Sequence, residues 1–171
     1  ALIGGPPVTV RAWPSYNTIG DEEKRAVMEV LDTGVLSDYI AAPGERFLGG
    51  PQVRRLEEAW AAHYGTPFAV AMNSCTSCLH AALAALGVGP GDEVIVPQLG
   101  MCAAATVVLF VGATPVFADC DPVSMLISPA SVESLVTQRT KAVIAVHLAG
   151  HAAPMDELME LSRRYGFYVV E

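Results

Sequence analysis

The sequence predicts an α/β fold, a mostly parallel sheet with helices on both faces, and three observations carry that expectation. Short apolar runs rich in Val, Ile and Ala alternate with helix-length segments from residue 68 onward, the pattern of successive βαβ units. Hydrophobic residues make up 52% of the chain and charged residues 16%, against about 25% charged in ordinary domains. So little charge means a large buried fraction or a surface meant for a partner. Finally, 171 residues suit one domain on the usual scale of about 100–200 residues.

Taken in order, residues 1–20 are rich in Pro and Gly and predict an extended arm. Asp21-Glu22-Glu23 opens a helix running to about Thr33, with acids where they complement the dipole and Gly34 as its stop. Pro51 suits the first turn of a second helix, which spaces Val53, Leu56, Trp60 and Tyr64 helically before Gly65. A strand is expected at 68–72, a helix at 76–86 and a strand at 93–96. Then follow a helix at about 102–111, a strand at 114–118, a helix at 129–136, a strand at 141–146, a helix at 154–164 and a strand at 167–170. The last strand pattern, Phe167-Tyr168-Val169-Val170-Glu171, runs to the final residue. In open α/β sheets the functional loops follow the carboxyl ends of strands, so a fragment is expected.

Lys and Arg total 10 against 18 Asp and Glu, a formal charge of −8. That balance argues against nucleic acid or an anionic membrane as a partner, since both need a basic face. The uncharged run 101–118 is broken by Gly112 and Pro115, short of the about 20 apolar residues of a spanning helix. It divides instead into helix, turn and strand. The Ala1-Leu2-Ile3-Gly4-Gly5 start lacks a basic, secretion-type leader, and the four Cys are irregularly spaced. Both point to a reducing cytoplasm.

The turn Asn73-Ser74-Cys75-Thr76-Ser77-Cys78 leads into a helix N-terminus. Free N–H groups and the helix dipole make such a turn a phosphate cradle; equally, Ser74 or Thr76 could serve only as the helix cap. It is neither a Walker loop nor a G-x-G-x-x-G turn. Cys75 and Cys78 form a C-x-x-C at that helix start, which as a redox pair would gain thiolate stabilisation. The plainer alternative is two small apolar residues packed beside Ala81 and Ala82. No second close pair of Cys supports a metal site. His147 and His151 flank Gly150 at a strand's carboxyl end, the ligand-facing edge, although a hydrogen-bonded loop histidine fits as well. His63 and His80 read as structural, and Asp119 and Asp121 suit an exposed turn. Lys24 and Lys141 are the only lysines, and neither stands where a Schiff-base nucleophile belongs.

Together these segments resemble the DegT/StrS family of sugar aminotransferases, pyridoxal-phosphate enzymes. The resemblance runs from Trp13-Pro14-Ser15-Tyr16 to Glu171. It rests on Gly50-Pro51-Gln52-Val53 with Leu56-Glu57, Thr76-Ser77-Cys78-Leu79-His80-Ala81-Ala82-Leu83 and Gly89-Pro90-Gly91-Asp92-Glu93-Val94-Ile95-Val96-Pro97. Gly112-Ala113-Thr114-Pro115-Val116-Phe117-Ala118-Asp119, Thr140-Lys141-Ala142-Val143-Ile144, Val146-His147-Leu148-Ala149-Gly150-His151 and Met155-Asp156 complete it.

The resemblance implies an aspartate-aminotransferase-like fold (PLP fold type I), with residues 21–171 forming the N-terminal part of the large cofactor-binding domain. It also implies a homodimer, pyridoxal 5'-phosphate as cofactor, a keto-sugar or cyclitol substrate and Glu or Gln as amino donor. Ser74, Cys75, Thr76 and Ser77 match the phosphate-binding turn; the family usually carries Gly where Cys75 stands. Met101 matches the residue covering one face of the pyridoxal ring, commonly an aromatic, and His147 joins the cofactor contacts. The family's usual aromatic and hydroxyl residues are missing at Leu99 and Gly100. The aspartate that pairs with the pyridine nitrogen would follow Glu171 directly, and the Schiff-base lysine would lie further on. No catalytic residue of that kind is therefore expected within this chain. The alternatives are a family dehydratase, a non-catalytic or regulatory member, and a C-x-x-C thiol redox domain.

Overall fold

A computed structural model of the chain describes residues 4–6, 16–39, 42–44 and 46–171. Most of the arm expected at residues 1–20, with Trp13, Pro14 and Ser15, lies outside the described residues. The chain divides into two compact units, Ala1–Ala71 and Met72–Glu171.

The first unit holds α1 (Asp21–Asp32) and α2 (Pro51–Tyr64). Its helix ends follow the expected chemistry. The Gly20 N–H donates to the Glu23 carboxylate at 2.7 Å, and that bond holds the Glu23 carboxyl below its ordinary value. Pro51 starts α2, and Gly65 ends it in the left-handed conformation, φ 66°, which a residue without Cβ adopts freely. Neither helix buries a residue.

The expected strand at 68–72 does not form. Phe68 and Val70 are exposed, and the local backbone bonds to side chains instead: Thr66 Oγ1 donates to the Phe68 carbonyl and the Ala71 N–H to Glu57 Oε1. An apolar run becomes a strand only when another backbone takes its hydrogen bonds, and no described strand pairs with it.

The second unit is a three-layer α/β structure. Its elements are α3 (Cys75–Ala85), β1 (Glu93–Pro97), α4 (Ala103–Phe110), β2 (Thr114–Ala118), α5 (Pro129–Leu135), β3 (Thr140–Ile144), α6 (Met155–Tyr165) and β4 (Tyr168–Val170). The sheet order is β2-β1-β3-β4, and every pairing is parallel. Side chains alternate across the sheet with period two. Val94, Val96, Ala142 and Ile144 join Leu83 and Val107 of α3 and α4 in one core layer. Ile95, Val143 and Ala145 join Val132, Leu158 and Leu161 of α5 and α6 in the other. This is why the central strands read as unbroken apolar runs: both of their faces are covered.

Two polar details tie the layers down. Glu93, 7% exposed, begins β1 and accepts from Thr137 Oγ1 and from the Arg139 guanidinium, each at 2.5 Å. The Thr137 bond holds the Glu93 carboxyl below its ordinary value, burial opposes that shift, and Arg139 reinforces it. At the sheet's edge, the Thr114 N–H donates to the Asp92 carbonyl and the Ala118 carbonyl accepts from Gln98 N–H. Thr114 and Ala118 therefore face β1, and Pro115 faces outward, where its missing N–H costs no ladder bond.

Candidate functional site

The parallel sheet puts the carboxyl ends of β1, β3 and β4 on one edge. α3 has 11 residues and β1 has 5, so each spans about 16 Å. Since α3 leads through a loop to the amino end of β1, its N-terminus stands level with the carboxyl edge. The turn 74–77, the loop after β1 carrying Met101, and His147 after β3 are thereby brought to one edge of one unit.

The helix start resolves which hydroxyl is the cap. Ser74 is the N-cap: its Oγ accepts from Ser77 N–H at 3.1 Å and lies 3.0 Å from Ser77 Oγ, and Cys78 N–H bonds the Ser74 carbonyl. The Thr76 hydroxyl takes no part in the cap, and it has no hydrogen-bond partner among the described residues, nor have the Cys75 and Thr76 N–H groups. Capping thus consumes Ser74 and leaves two N–H donors and a hydroxyl at the positive end of the helix dipole.

Cys75 and Cys78 are free and exposed rather than packed beside Ala81 and Ala82, because the first turn of α3 turns its outer face away from the core; of the helix, only Leu83 is buried. Met101 is also exposed, at 76%, where β1 gives way to α4. A shallow groove of about 440 Å³, lined by Met72, Asn73, Ser77, His80, Ala81 and Ala84, runs beside α3. His80 sits edge-on to Phe110 with ring centres 5.8 Å apart, in keeping with a structural role. Asp121 accepts from the Val123 and Ser124 N–H groups and organises the turn expected there; the Ser124 bonds hold its carboxyl below the ordinary value.

His147 is engaged on both ring nitrogens. The Ala153 N–H donates to Nδ1 at 2.9 Å, and Nε2 lies 3.1 Å from Glu171 Oε2. A tight turn sets up this geometry, with Ala149 in the left-handed region at φ 53° and Gly150 at φ 80°. Glu171 is the residue that sequence reading missed. Its partner lies 24 positions away, and the available signal was that both stand just past the ends of adjacent strands. Among the described residues no helix is long and apolar enough to cross a membrane.

Known proteins share the fold. Residues 17–171 match the model of the DegT/DnrJ/EryC1/StrS aminotransferase family. The chain is 42% identical to the L-glutamine:2-deoxy-scyllo-inosose aminotransferase of Streptomyces fradiae, covering 100% of this chain and 39% of that protein. Among solved structures, S. venezuelae DesV, in complex with a ketimine intermediate, matches with TM-score 0.78 and 38% identity over 87% of this chain and 37% of its own. NtdA from Bacillus subtilis, with bound cofactor PMP, matches with TM-score 0.78 and 29% identity over 88% of this chain and 33% of its own. The chain thus spans about two-fifths of the length of the curated relatives it matches.

Proposed function

The chain belongs to the DegT/DnrJ/EryC1/StrS aminotransferase family, and from that premise we propose that the whole protein transfers an amino group from Glu or Gln to a keto-sugar or cyclitol. Pyridoxal 5'-phosphate is the cofactor of the family, and it supplies the electron sink that makes transfer of the amino group possible. In this reading, residues 21–171 are the N-terminal part of the cofactor-binding large domain, and the protein works as a cytoplasmic homodimer. The exposed apolar residues of α1 and α2, among them Val27, Met28, Leu56 and Trp60, support a covered surface of that kind.

The observation that carries the reading is the turn at the start of α3. A phosphate needs several donors converging at a positive site. Cys75 and Thr76 N–H and the Thr76 hydroxyl are available there because Ser74 alone performs the capping. Ser74 and Ser77 complete the cradle, their linked hydroxyls fixing the turn and offering further contacts. Cys75 in place of the family's usual Gly leaves its N–H available while narrowing the approach. Met101 would cover one face of the ring with its thioether, with less area than an aromatic gives, and His147, after β3, would stand on the same edge of the sheet. This chain's own part is to bind the phosphate, orient the ring and wall off one face.

Thr76→Val tests the cradle. It keeps the shape and removes a hydroxyl that does no capping, so the melting temperature should hold. Losing a hydrogen bond to a charged phosphate weakens cofactor affinity by about 1.5–3 kcal/mol, or roughly ten- to a hundredfold. Unchanged affinity in the whole protein, at fixed pH and salt, would remove Thr76 from the site.

A further inference from the structure

Two strand ends meet at the carboxyl edge in a way that the phosphate cradle does not explain. The β3·β4 ladder pairs Ala142 with Tyr168, Val143 with Val169 and Ile144 with Val170, and Ala145 N–H adds a last bond to the Val170 carbonyl at 2.8 Å. Beyond it the backbones separate, β3 entering the turn at Leu148–Gly150. Contact between the two strand ends then continues through side chains, as His147 Nε2 lies 3.1 Å from Glu171 Oε2.

Hydrogen-bond logic fixes the imidazole's state. A backbone N–H can only donate, so Nδ1 must accept from Ala153, and in the neutral ring the proton then resides on Nε2. Nε2–H donates to the Glu171 carboxylate. The ring is clamped from behind by the first residues leading to α6, and the turn that makes this possible holds Ala149, a non-glycine residue, in the left-handed region. Such backbone conformations cost energy and persist only where the surroundings impose them.

We infer that His147 is a positioning residue: held as the Nε2–H tautomer by Ala153, it grips Glu171 and fixes the carboxyl end of β4 at the ring end of the cofactor site. The inference rests on the cofactor reading above and deepens it. Stability is not what the pair contributes. The side chains of His147 and Glu171 are 40% and 60% exposed, and exposed pairs of this kind add little to folding. Their effect is on orientation, where small displacements matter most.

The test uses the whole protein with three variants. Nitrogen-15 NMR of His147 in the neutral state reads the tautomer directly and needs no mutation; Nε2–H is expected, and Nδ1–H would overturn the inference. His147→Asn keeps an acceptor for Ala153 but cannot reach Glu171, and Glu171→Ala removes the other end. Each should weaken pyridoxal phosphate binding by about tenfold and shift the absorption of the bound cofactor, while Glu171→Gln, which still accepts the bond, stays within about twofold of the parent. Inorganic phosphate affinity and the melting temperature of the cofactor-free protein should not change. Equal cofactor affinity across all variants, or a parallel loss of phosphate affinity, refutes a ring-end role and leaves the cradle standing. If the parent protein itself has no affinity for pyridoxal phosphate, both readings fall.

Discussion

Helices α1 and α2 bury no residue, whereas each α-helix of residues 72–171 buries at least one: Leu83 in α3, Val107 and Val108 in α4, Val132 in α5, Leu158 and Leu161 in α6. The two regions are not distinguished by the quality of their apolar stripes. α2 spaces Leu56, Trp60 and Tyr64 along one side, yet all three are more than half exposed. What differs is the sheet. In the second unit, the parallel strands present two apolar faces, and every helix finds one of them. A stripe at helical spacing therefore announces a face that wants covering, and only a partner surface turns it into core.

Truncating a core side chain gives the largest expected contrast. Ile95→Ala, at a fully buried position of β1, should destabilise the second unit by about 2–5 kcal/mol. Leu56→Ala in α2 should cost within about 0.5 kcal/mol, as surface changes do. Urea unfolding of this chain measures both, and a cost at Leu56 comparable to that at Ile95 would break the contrast. The same Leu56 variant in the whole protein sharpens it: a larger penalty there, dependent on protein concentration, would identify α2 as covered by a second copy.

Ser74→Ala comes next. Losing the α3 cap should cost about 0.5–2 kcal/mol, read from the urea midpoint, while α1 provides the control. Gly20 has no side-chain cap to lose, so Gly20→Ser should leave stability the same or slightly higher.

How much was legible follows the same division. β1, α3 and α6 could be read directly. β1 is an apolar run buried on both faces, α3 follows a serine cap, and α6 carries acids in its first turn, arginines in its last and a glycine stop. The segment 68–72 could not, since its apolar composition says nothing about whether a second backbone lies alongside. At the site, the turn 74–77 was visible as a helix start, but Ser74 and Thr76 were equivalent candidates until backbone dihedrals made Ser74 the cap. The bond from His147 to Glu171 joins residues brought together only by strand order, which no local pattern encodes.

A smaller effect concerns pH. Glu93 is ionised in the fold with its carboxyl held below the ordinary value of 4.5, so the folded state binds its proton less readily than the unfolded one. Its contribution is fully present above that value and is lost as pH falls through the lower folded value. Acid unfolding of Glu93→Gln, compared with the parent, should show a shallower loss of stability below pH 4.5; an identical acid limb would mean that the Thr137 and Arg139 bonds do not matter. The smallest effect is expected at Glu133, which links α5 to Arg164 and Tyr165 of α6 from the surface. Glu133→Ala should leave the unfolding midpoint within error.

Pro115 has one further consequence. On the outer side of β2, where Pro115 and Phe117 point, the proline offers no donor to an approaching backbone, and a docking strand would find only the Phe117 N–H. β4, at the opposite border of the sheet, contains Tyr168, Val169 and Val170 and no proline. Among the described residues, the β2 border thus lacks one ladder donor that the β4 border keeps. A strand added along β2 would therefore pair less completely than one along a border without proline.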